Sequence, residues 1–423
     1  MSLLQINNLS FSYSKCDDFT LSVPHFELNQ GERVALIGPN GAGKTTLLQL
    51  IALLQRPSKG TILFNSKEIQ SRQEVLNYHR QTAFVPQRPI MYNRSVQDNV
   101  AIGLKIRGIS PAETAERTES MLKALKIAHL SSRNAISISG GEARRVMLAR
   151  ALVLNPKILF LDEPFADLDE PVRRSIIEDT LPILSASGCA TIFVTHNQDE
   201  TYQLANRFMV LIKGQIIQSG TAYEIFGNPA TKEVAEFIGI RNIIPAEITG
   251  EPSPGTQGLG KDDGMILLSL ATGIKLWYSG PVRGRSPLGD RETGIPPSTL
   301  SKDNVTENDS DKISVTSNGA GERPKGKQVL CCIPPESITV VADGPSRQGG
   351  MGSPQLHSSA RNTLQGTIKK VIPSRYLVWL EIDVGGVSLT ASVTHQSVKE
   401  LGLAVGKPVS VLLKATAIQL LTM

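Results

Sequence analysis

The stretch Arg33-Val34-Ala35-Leu36-Ile37-Gly38-Pro39-Asn40-Gly41-Ala42-Gly43-Lys44-Thr45-Thr46-Leu47-Leu48 decides the fold of this chain. Residues 33–37 are a short apolar run that reads as a buried strand, and the residues from Thr45 onward read as a helix. The loop between them fits the phosphate-loop pattern G-x-x-x-x-G-K-[ST]. A phosphate chain needs several backbone N–H groups pointing inward, and glycines let a loop close tightly enough to offer them. The helix N-terminus adds partial positive charge. Gly38, Pro39, Asn40, Gly41, Ala42, Gly43, Lys44, Thr45 and Thr46 are therefore the candidate nucleotide cradle. Lys44 is placed to reach the terminal phosphates of ATP, and Thr45 to ligate Mg²⁺. A glycine-rich turn before an ordinary helix is the plain alternative, and strand, loop and helix in this order argue against it.

A second apolar run, residues 157–161, ends in Asp162-Glu163-Pro164. Open α/β sheets bind ligands at the carboxyl ends of their strands. Asp162 is the candidate Mg²⁺ ligand, and Glu163 the candidate base toward the attacking water. Upstream, Ser139-Gly140-Gly141 precedes a helix read over 142–154, which makes a second N-terminus suited to phosphate. One ATP does not need two such cups in one chain.

These motifs together resemble the ATP-binding subunit of an ABC transporter. Ser139-Gly140-Gly141 matches the core of that family's signature, with Ile138 in place of the usual Leu and Glu142 in place of the usual Gln. Gln87 matches the Q-loop, residues 166–169 the D-loop with Asp169, and His196 the switch histidine. Tyr13 stands where the family stacks an aromatic on adenine. The resemblance covers residues 1–240 and implies an α/β P-loop NTPase core with a helical subdomain at about 88–150. It assigns Glu163, His196 and Gln87 to catalysis, and Thr45, Gln87 and Asp162 to Mg²⁺. It also implies a homodimer in which each signature closes over the partner's ATP. Residues 88–100, with Ile90, Met91 and Tyr92, are either a docking surface for a permease or simple core packing.

The chain has 423 residues, 40% of them hydrophobic, which is enough for several cores. Its net charge of +5 is modest and gives no argument for nucleic acid. No apolar run approaches the ~18 residues that span a bilayer. The N-terminus carries no basic segment followed by a signal-peptide core. The four cysteines show no C-x-x-C spacing. A peripheral subunit on the cytoplasmic face of a membrane is the expected setting.

After residue 240 the texture becomes β-rich. Strand-like runs are expected at 242–248, 265–270, 273–278 and 328–340, within a region 241–342 that resembles an OB-type (TOBE-like) module. Residues 281–327, rich in Gly, Pro, Ser, Asp and Lys, read as a disordered insertion, and 343–358 as a linker. Residues 359–423 read as a compact β domain, with strands at 367–371, 376–382, 387–393 and 409–414 and a hairpin turn at Gly385-Gly386. Ser359-Ala360-Arg361-Asn362, Leu389-Thr390-Ala391, Leu401-Gly402-Leu403 and Lys414-Ala415-Thr416 make this segment similar to a molybdate-binding (Mop, TOBE-type) domain. A tetrahedral dianion takes many short donors and positive charge. Ser359, Arg361, Lys414 and Thr416 form one candidate set; Thr394 and Ser397, helped by backbone N–H groups at Ala391 or Ala415, form another. Tight-turn residues with no ligand are the alternative.

The expectation is an importer ATPase for molybdate or tungstate, working with integral-membrane permease subunits and an extracytoplasmic oxyanion-binding protein. Importers of sulfate, iron, polyamine or sugar, a non-transporting oxyanion store or sensor, and a soluble repair or translation ATPase are the rivals.

Overall fold

A computed structural model describes residues 2–13, 20–195, 202–249, 266–279, 326–342 and 360–422. The expected linker 343–358 lies outside them, as does the expected insertion apart from Gly326 and Lys327. The chain divides into two compact units, Met1–Phe237 and Ile238–Met423.

The first unit is built on a ten-stranded sheet. Its strands are β1 (Ser2–Ser12), β2 (Thr20–Asn29), β3 (Arg33–Ile37), β4 (Lys59–Phe64), β5 (Lys67–Glu68), β6 (Thr82–Val85), β7 (Ile158–Asp162), β8 (Ala190–Val194), β9 (Arg207–Ile212) and β10 (Gln215–Gly220). They lie in the order β5-β4-β1-β2-β10-β9-β3-β8-β7-β6. From β9 to β6 the pairing is parallel. β7 and β8 are buried at every position, as strands covered on both faces must be. β1 and β2 pair antiparallel and bury only part of their length. Because β3, β6, β7 and β8 run the same way, their carboxyl ends share one edge.

Helix α1 (Lys44–Ile51) leaves that edge directly after β3. Its Leu47, Leu48, Leu50 and Ile51 share a core with Leu36, Phe160 and Ile192. Each such side chain contributes roughly 1.5–3 kcal/mol by burial. Further helices among the described residues include α2 (Arg72–Gln81), α3 (Val96–Ile106), α4 (Pro111–Ala124), α5 (Gly140–Leu152), α6 (Glu170–Ser187), α7 (Ala222–Phe226) and α8 (Lys232–Phe237). Ser110 caps α4 by accepting the Glu113 N–H at 3.3 Å, with Pro111 in the first turn. α5 begins two residues earlier than the sequence reading placed it. Ser139 caps the helix in a box with Glu142, so Gly140 and Gly141 form its first turn.

Among its described residues, the second unit holds two five-stranded sheets. One comprises β11 (Asn242–Ile248), β12 (Ile266–Leu270), β13 (Lys275–Tyr278), β14 (Gln328–Ile333) and β20 (Gln419–Thr422). The other comprises β15 (Ile338–Ala342), β16 (Asn362–Pro373), β17 (Leu377–Val384), β18 (Val387–Thr394) and β19 (Pro408–Leu413). The run expected at 328–340 is two strands. Pro334 and Pro335 cannot donate to a ladder, and a 3₁₀ turn at Pro335–Ser337 sends the chain from one sheet to the other. The regions 241–342 and 359–423 are not separate bodies. β14 pairs with β20, β15 pairs with β19, and one core runs through both sheets.

Two buried asparagines clip the sheets together. Asn242 of β11 donates to the carbonyls of Ile333 at 3.0 Å and Thr390 at 2.8 Å, and accepts the Thr390 N–H at 2.6 Å. Asn362 of β16 accepts the Trp277 N–H at 2.5 Å and donates back to the Trp277 carbonyl at 2.9 Å. An amide side chain carries both a donor and an acceptor, so it can stand in for a strand partner. Among the described residues, no helix is long and apolar enough to cross a membrane.

Candidate functional site

The carboxyl edge of the parallel strands gathers the nucleotide candidates of the first unit. The turn out of β3 requires glycine at position 38. Its φ is +154°, and a Cβ there would sit 2.0 Å from the Leu211 carbonyl oxygen of β9. The loop then curls over Pro39, Asn40 and Gly41, which are exposed, and anchors Ala42 in the core. Lys44 folds back across it, and its Nζ donates to the carbonyls of Gly38 and Pro39, each at 2.9 Å. Thr45 Oγ1 donates to Asp162 Oδ1 at 2.9 Å, joining groups 117 residues apart in the chain. Glu163 adopts φ +44° just beyond β7 and donates its N–H to the Val194 carbonyl at 3.0 Å. Gln87 Nε2 donates to Glu163 Oε2 at 2.8 Å. Tyr13 is half-exposed, and its hydroxyl lies 3.1 Å from Thr46 Oγ1. His196 lies outside the described residues; Thr195, just before it, is buried.

Lys44 and Asp162 are both buried, 6% exposed each. Burial pushes the Lys44 ammonium below its usual range, against the opposing pull of Glu163 and Asp162. Burial pushes the Asp162 carboxyl up; the Thr45 hydrogen bond works against that and the neighbouring Glu163 charge adds to it. Lys44 therefore offers a poorly hydrated cation to a phosphate. The Thr45 and Asp162 oxygens are the kind of hard donors that Mg²⁺ takes.

The second candidate cup lies elsewhere. Ser139, Gly140, Gly141 and Glu142 line an open cleft of about 690 Å³ together with Asp167 and Asp169, and the phosphate loop takes no part in it. Glu142 Oε2 accepts both the Ser139 N–H and the Ser139 hydroxyl, each at 2.8 Å. The backbone bond from Ser139, then its hydroxyl, hold the Glu142 carboxyl below the usual range. The replacement of Gln by Glu thus adds a negative charge at this helix end. The surface at 88–100 resolves into two parts: Val96 and Val100 are buried, while Ile90 and Tyr92 are exposed. Arg150 stacks over Tyr92 at 5.6 Å and donates to the Ile90 carbonyl at 2.8 Å.

The oxyanion candidates of the second unit stay apart. Arg361 and Lys414 stand just beyond the Asn362–Leu413 pair that ends the β16–β19 ladder, and both are exposed. Thr416 is exposed beside them, while Ala415 is buried and its carbonyl accepts the Ser279 N–H at 3.2 Å. Thr394 ends β18 opposite Leu377, which adjoins the far end of β16. β16 has 12 residues, so at ~3.3 Å per residue the two sets are separated by roughly 35 Å. Thr394 caps helix α9 (His395–Glu400), and its hydroxyl lies 2.8 Å from that of Ser397. Ser359 lies outside the described residues.

One residue went unremarked in the sequence. Arg144 is 3% exposed, and its guanidinium donates to the Gln87 carbonyl at 2.7 Å and the Ala166 carbonyl at 3.4 Å. Its only signal is a second arginine beside Arg145, which instead pairs with Asp179 at 2.5 Å.

Residues 21–166 match the family model described as ABC transporter, and residues 358–420 match the TOBE domain model. The chain is 29% identical to the molybdate/tungstate import ATP-binding protein WtpC of Pyrococcus horikoshii, over 98% of this chain and 99% of that one. It is 37% identical to the protein of the same name from Thermococcus kodakarensis, over 57% of this chain and 72% of that one. The sulfate/thiosulfate import ATP-binding protein CysA of Synechocystis is 39% identical over 58% of this chain and 68% of its own length. Among solved structures, cbiO1 from Clostridium perfringens, part of the ABC transporter complex cbiONQ, is 30% identical with a TM-score of 0.50; the match covers 57% of this chain and 95% of that one.

Proposed function

This chain belongs to the ABC transporter family, as an ATP-binding import subunit that hydrolyses ATP, and from that premise we propose that its cargo is molybdate or tungstate. The observation that carries the cargo is the reach of the similarity. The Pyrococcus horikoshii molybdate/tungstate relative aligns over 98% of the chain, both units included, whereas the sulfate/thiosulfate relative aligns over 58%, as far as the Thermococcus kodakarensis molybdate/tungstate protein does at 57%. Sulfate is the second reading, because that shorter match has the higher identity of 39%.

In the proposed mechanism, the loop from Gly38 to Thr46 cradles the phosphates of ATP and Lys44 leaves its loop carbonyls for them. Tyr13 stacks on adenine. Thr45, Asp162 and Gln87 would hold Mg²⁺, which when bound neutralises phosphate charge. Glu163 takes the proton of the attacking water, and His196 contacts the terminal phosphate. Ser139, Gly140, Gly141 and Asp169 serve the ATP of a second copy, so two chains enclose two nucleotides. The separation of the signature cleft from the phosphate loop supports that pairing. The first 240 residues form the motor and the rest the sensor. Ile90 and Tyr92 meet an integral-membrane permease at the cytoplasmic face, with an extracytoplasmic binding protein delivering the ion. The candidate oxyanion sets are complementary halves from two copies, joined by the anion they share.

Calorimetric titration of the intact chain with molybdate, tungstate and sulfate tests the cargo. The fragment 359–423 is unsuitable, since β20 would lose its partner β14. Heat from molybdate or tungstate with sulfate silent supports the reading. Sulfate binding as tightly as the other two, or silence from all three, overturns it.

A further inference from the structure

The buried cation Arg144 lies between two segments that each touch Glu163. On one side its Nη1 donates to the Gln87 carbonyl at 2.7 Å, and the Gln87 side chain in turn donates to Glu163 Oε2 at 2.8 Å. The same Nη1 lies 3.5 Å from the Pro86 carbonyl. On the other side its Nη2 donates to the Ala166 carbonyl at 3.4 Å, and the Ala166 N–H closes a turn onto the Glu163 carbonyl at 3.2 Å. Glu163 itself sits at φ +44°, a conformation that the surrounding bonds must hold for a residue with a Cβ. Arg144 belongs to α5, whose first turn carries Ser139, Gly140 and Gly141. A planar guanidinium presents donors on two sides at once, which a lysine ammonium does with less fixed geometry.

We propose that Arg144 is a positioning residue for ATP hydrolysis: it splints the signature helix to both arms that orient the Glu163 carboxylate. This role rests on the assignment of Gln87 and Glu163 given above. Movement of α5 relative to the sheet then reaches the base through the Arg144–Gln87–Glu163 chain. Whether the signature cup is engaged is thereby felt at the carboxylate without contact between Arg144 and nucleotide.

The test is a double-mutant cycle on the intact chain, reading steady-state phosphate release from ATP and Mg²⁺. Arg144→Gln is expected to lower kcat about 10- to 100-fold, as small misplacements of reacting groups do. KM for ATP should stay within about twofold, because the phosphate loop is untouched. Arg144→Lys should recover part of the loss. In the Gln87→Ala background, Arg144→Gln should slow the reaction by no more than about twofold further, since residues acting through one chain are not additive. Unchanged kcat, or losses that multiply in the double variant, would overturn the proposal. If Arg144→Gln does not fold, the same cycle run with Arg144→Lys decides by the same criterion. Glu163→Gln, measured alongside, separates the two failures: full activity there removes the role of Glu163 and leaves the coupling of Arg144 to Gln87 readable on its own.

Discussion

The two units solve the problem of gathering distant residues in opposite ways. In the first, Thr45 and Asp162 stand 117 residues apart in sequence and are hydrogen-bonded in space. In the second, Arg361 and Thr394 are close in sequence and sit at opposite ends of one sheet. Parallel strands explain the first case. Every crossover returns the chain to the same end, so loops from β3, β6, β7 and β8 meet at one edge. Antiparallel strands explain the second, because each hairpin carries the chain to the other end. The parallel unit brings its candidate residues together within one chain, whereas the antiparallel unit places its two candidate sets at opposite ends, where the proposed assembly has another copy complete them.

That contrast can be broken. Glu163→Gln should lower ATP hydrolysis about 10²- to 10⁴-fold, the usual weight of a general base, while oxyanion binding measured by calorimetry stays as in the parent chain. Loss of both would show that the units do not carry separate chemistries. Asn362→Ala should destabilise the second unit by about 1–2 kcal/mol, since it orphans the part-buried Trp277 backbone groups. Differential scanning calorimetry would show the loss in one transition, with basal ATP hydrolysis unchanged. Arg361→Ala or Lys414→Ala should weaken molybdate binding about tenfold, on the order of one charge-assisted hydrogen bond, with kcat unaffected.

A smaller effect probes the electrostatics of the parallel edge. Burial raises the Asp162 carboxyl above its unfolded value. Below the unfolded value the group is neutral in both states, and its burial costs little. Above the folded value it is charged in both, and the full cost of burying that charge is present. Stability therefore falls as pH rises through this window. Asp162→Asn should accordingly raise the thermal midpoint of the nucleotide-free chain at pH 7, by the equivalent of about 1 kcal/mol or less, and bring no gain near pH 3. The same variant should lose ATP hydrolysis.

Much of the first unit was legible because its signals are local. The loop at Gly38–Thr45 and the acidic end of β7 each lie within a few residues. Gln87 is a candidate only through its likeness to a family, whereas Ser139 is one already from its place before a helix N-terminus. Arg144 was not legible, because its partners Gln87 and Ala166 are remote in sequence and the contact is with backbone oxygens, which carry no side-chain signature. The second unit was legible strand by strand but not in its sheet membership. Nothing in residues 419–422 shows that they pair with β14 rather than with the strands before them. The break at Pro334-Pro335 has a local cause, the missing N–H groups, but it lies inside an apolar run that reads as one strand. The start of α5 was placed late because glycine is a poor helix former, whereas the Ser139–Glu142 box supplies the cap that admits two glycines in the first turn.

On the proposed pairing, the signature cup, which the phosphate loop does not line within one chain, is completed by a second copy. Sedimentation velocity of the Glu163→Gln chain at tens of micromolar, with and without ATP and Mg²⁺, tests it most directly, because bound ATP then persists. Pairing through the signature cup gives a nucleotide-dependent doubling of mass that Ser139→Ala abolishes. A mass that ATP leaves unchanged at that concentration would contradict it.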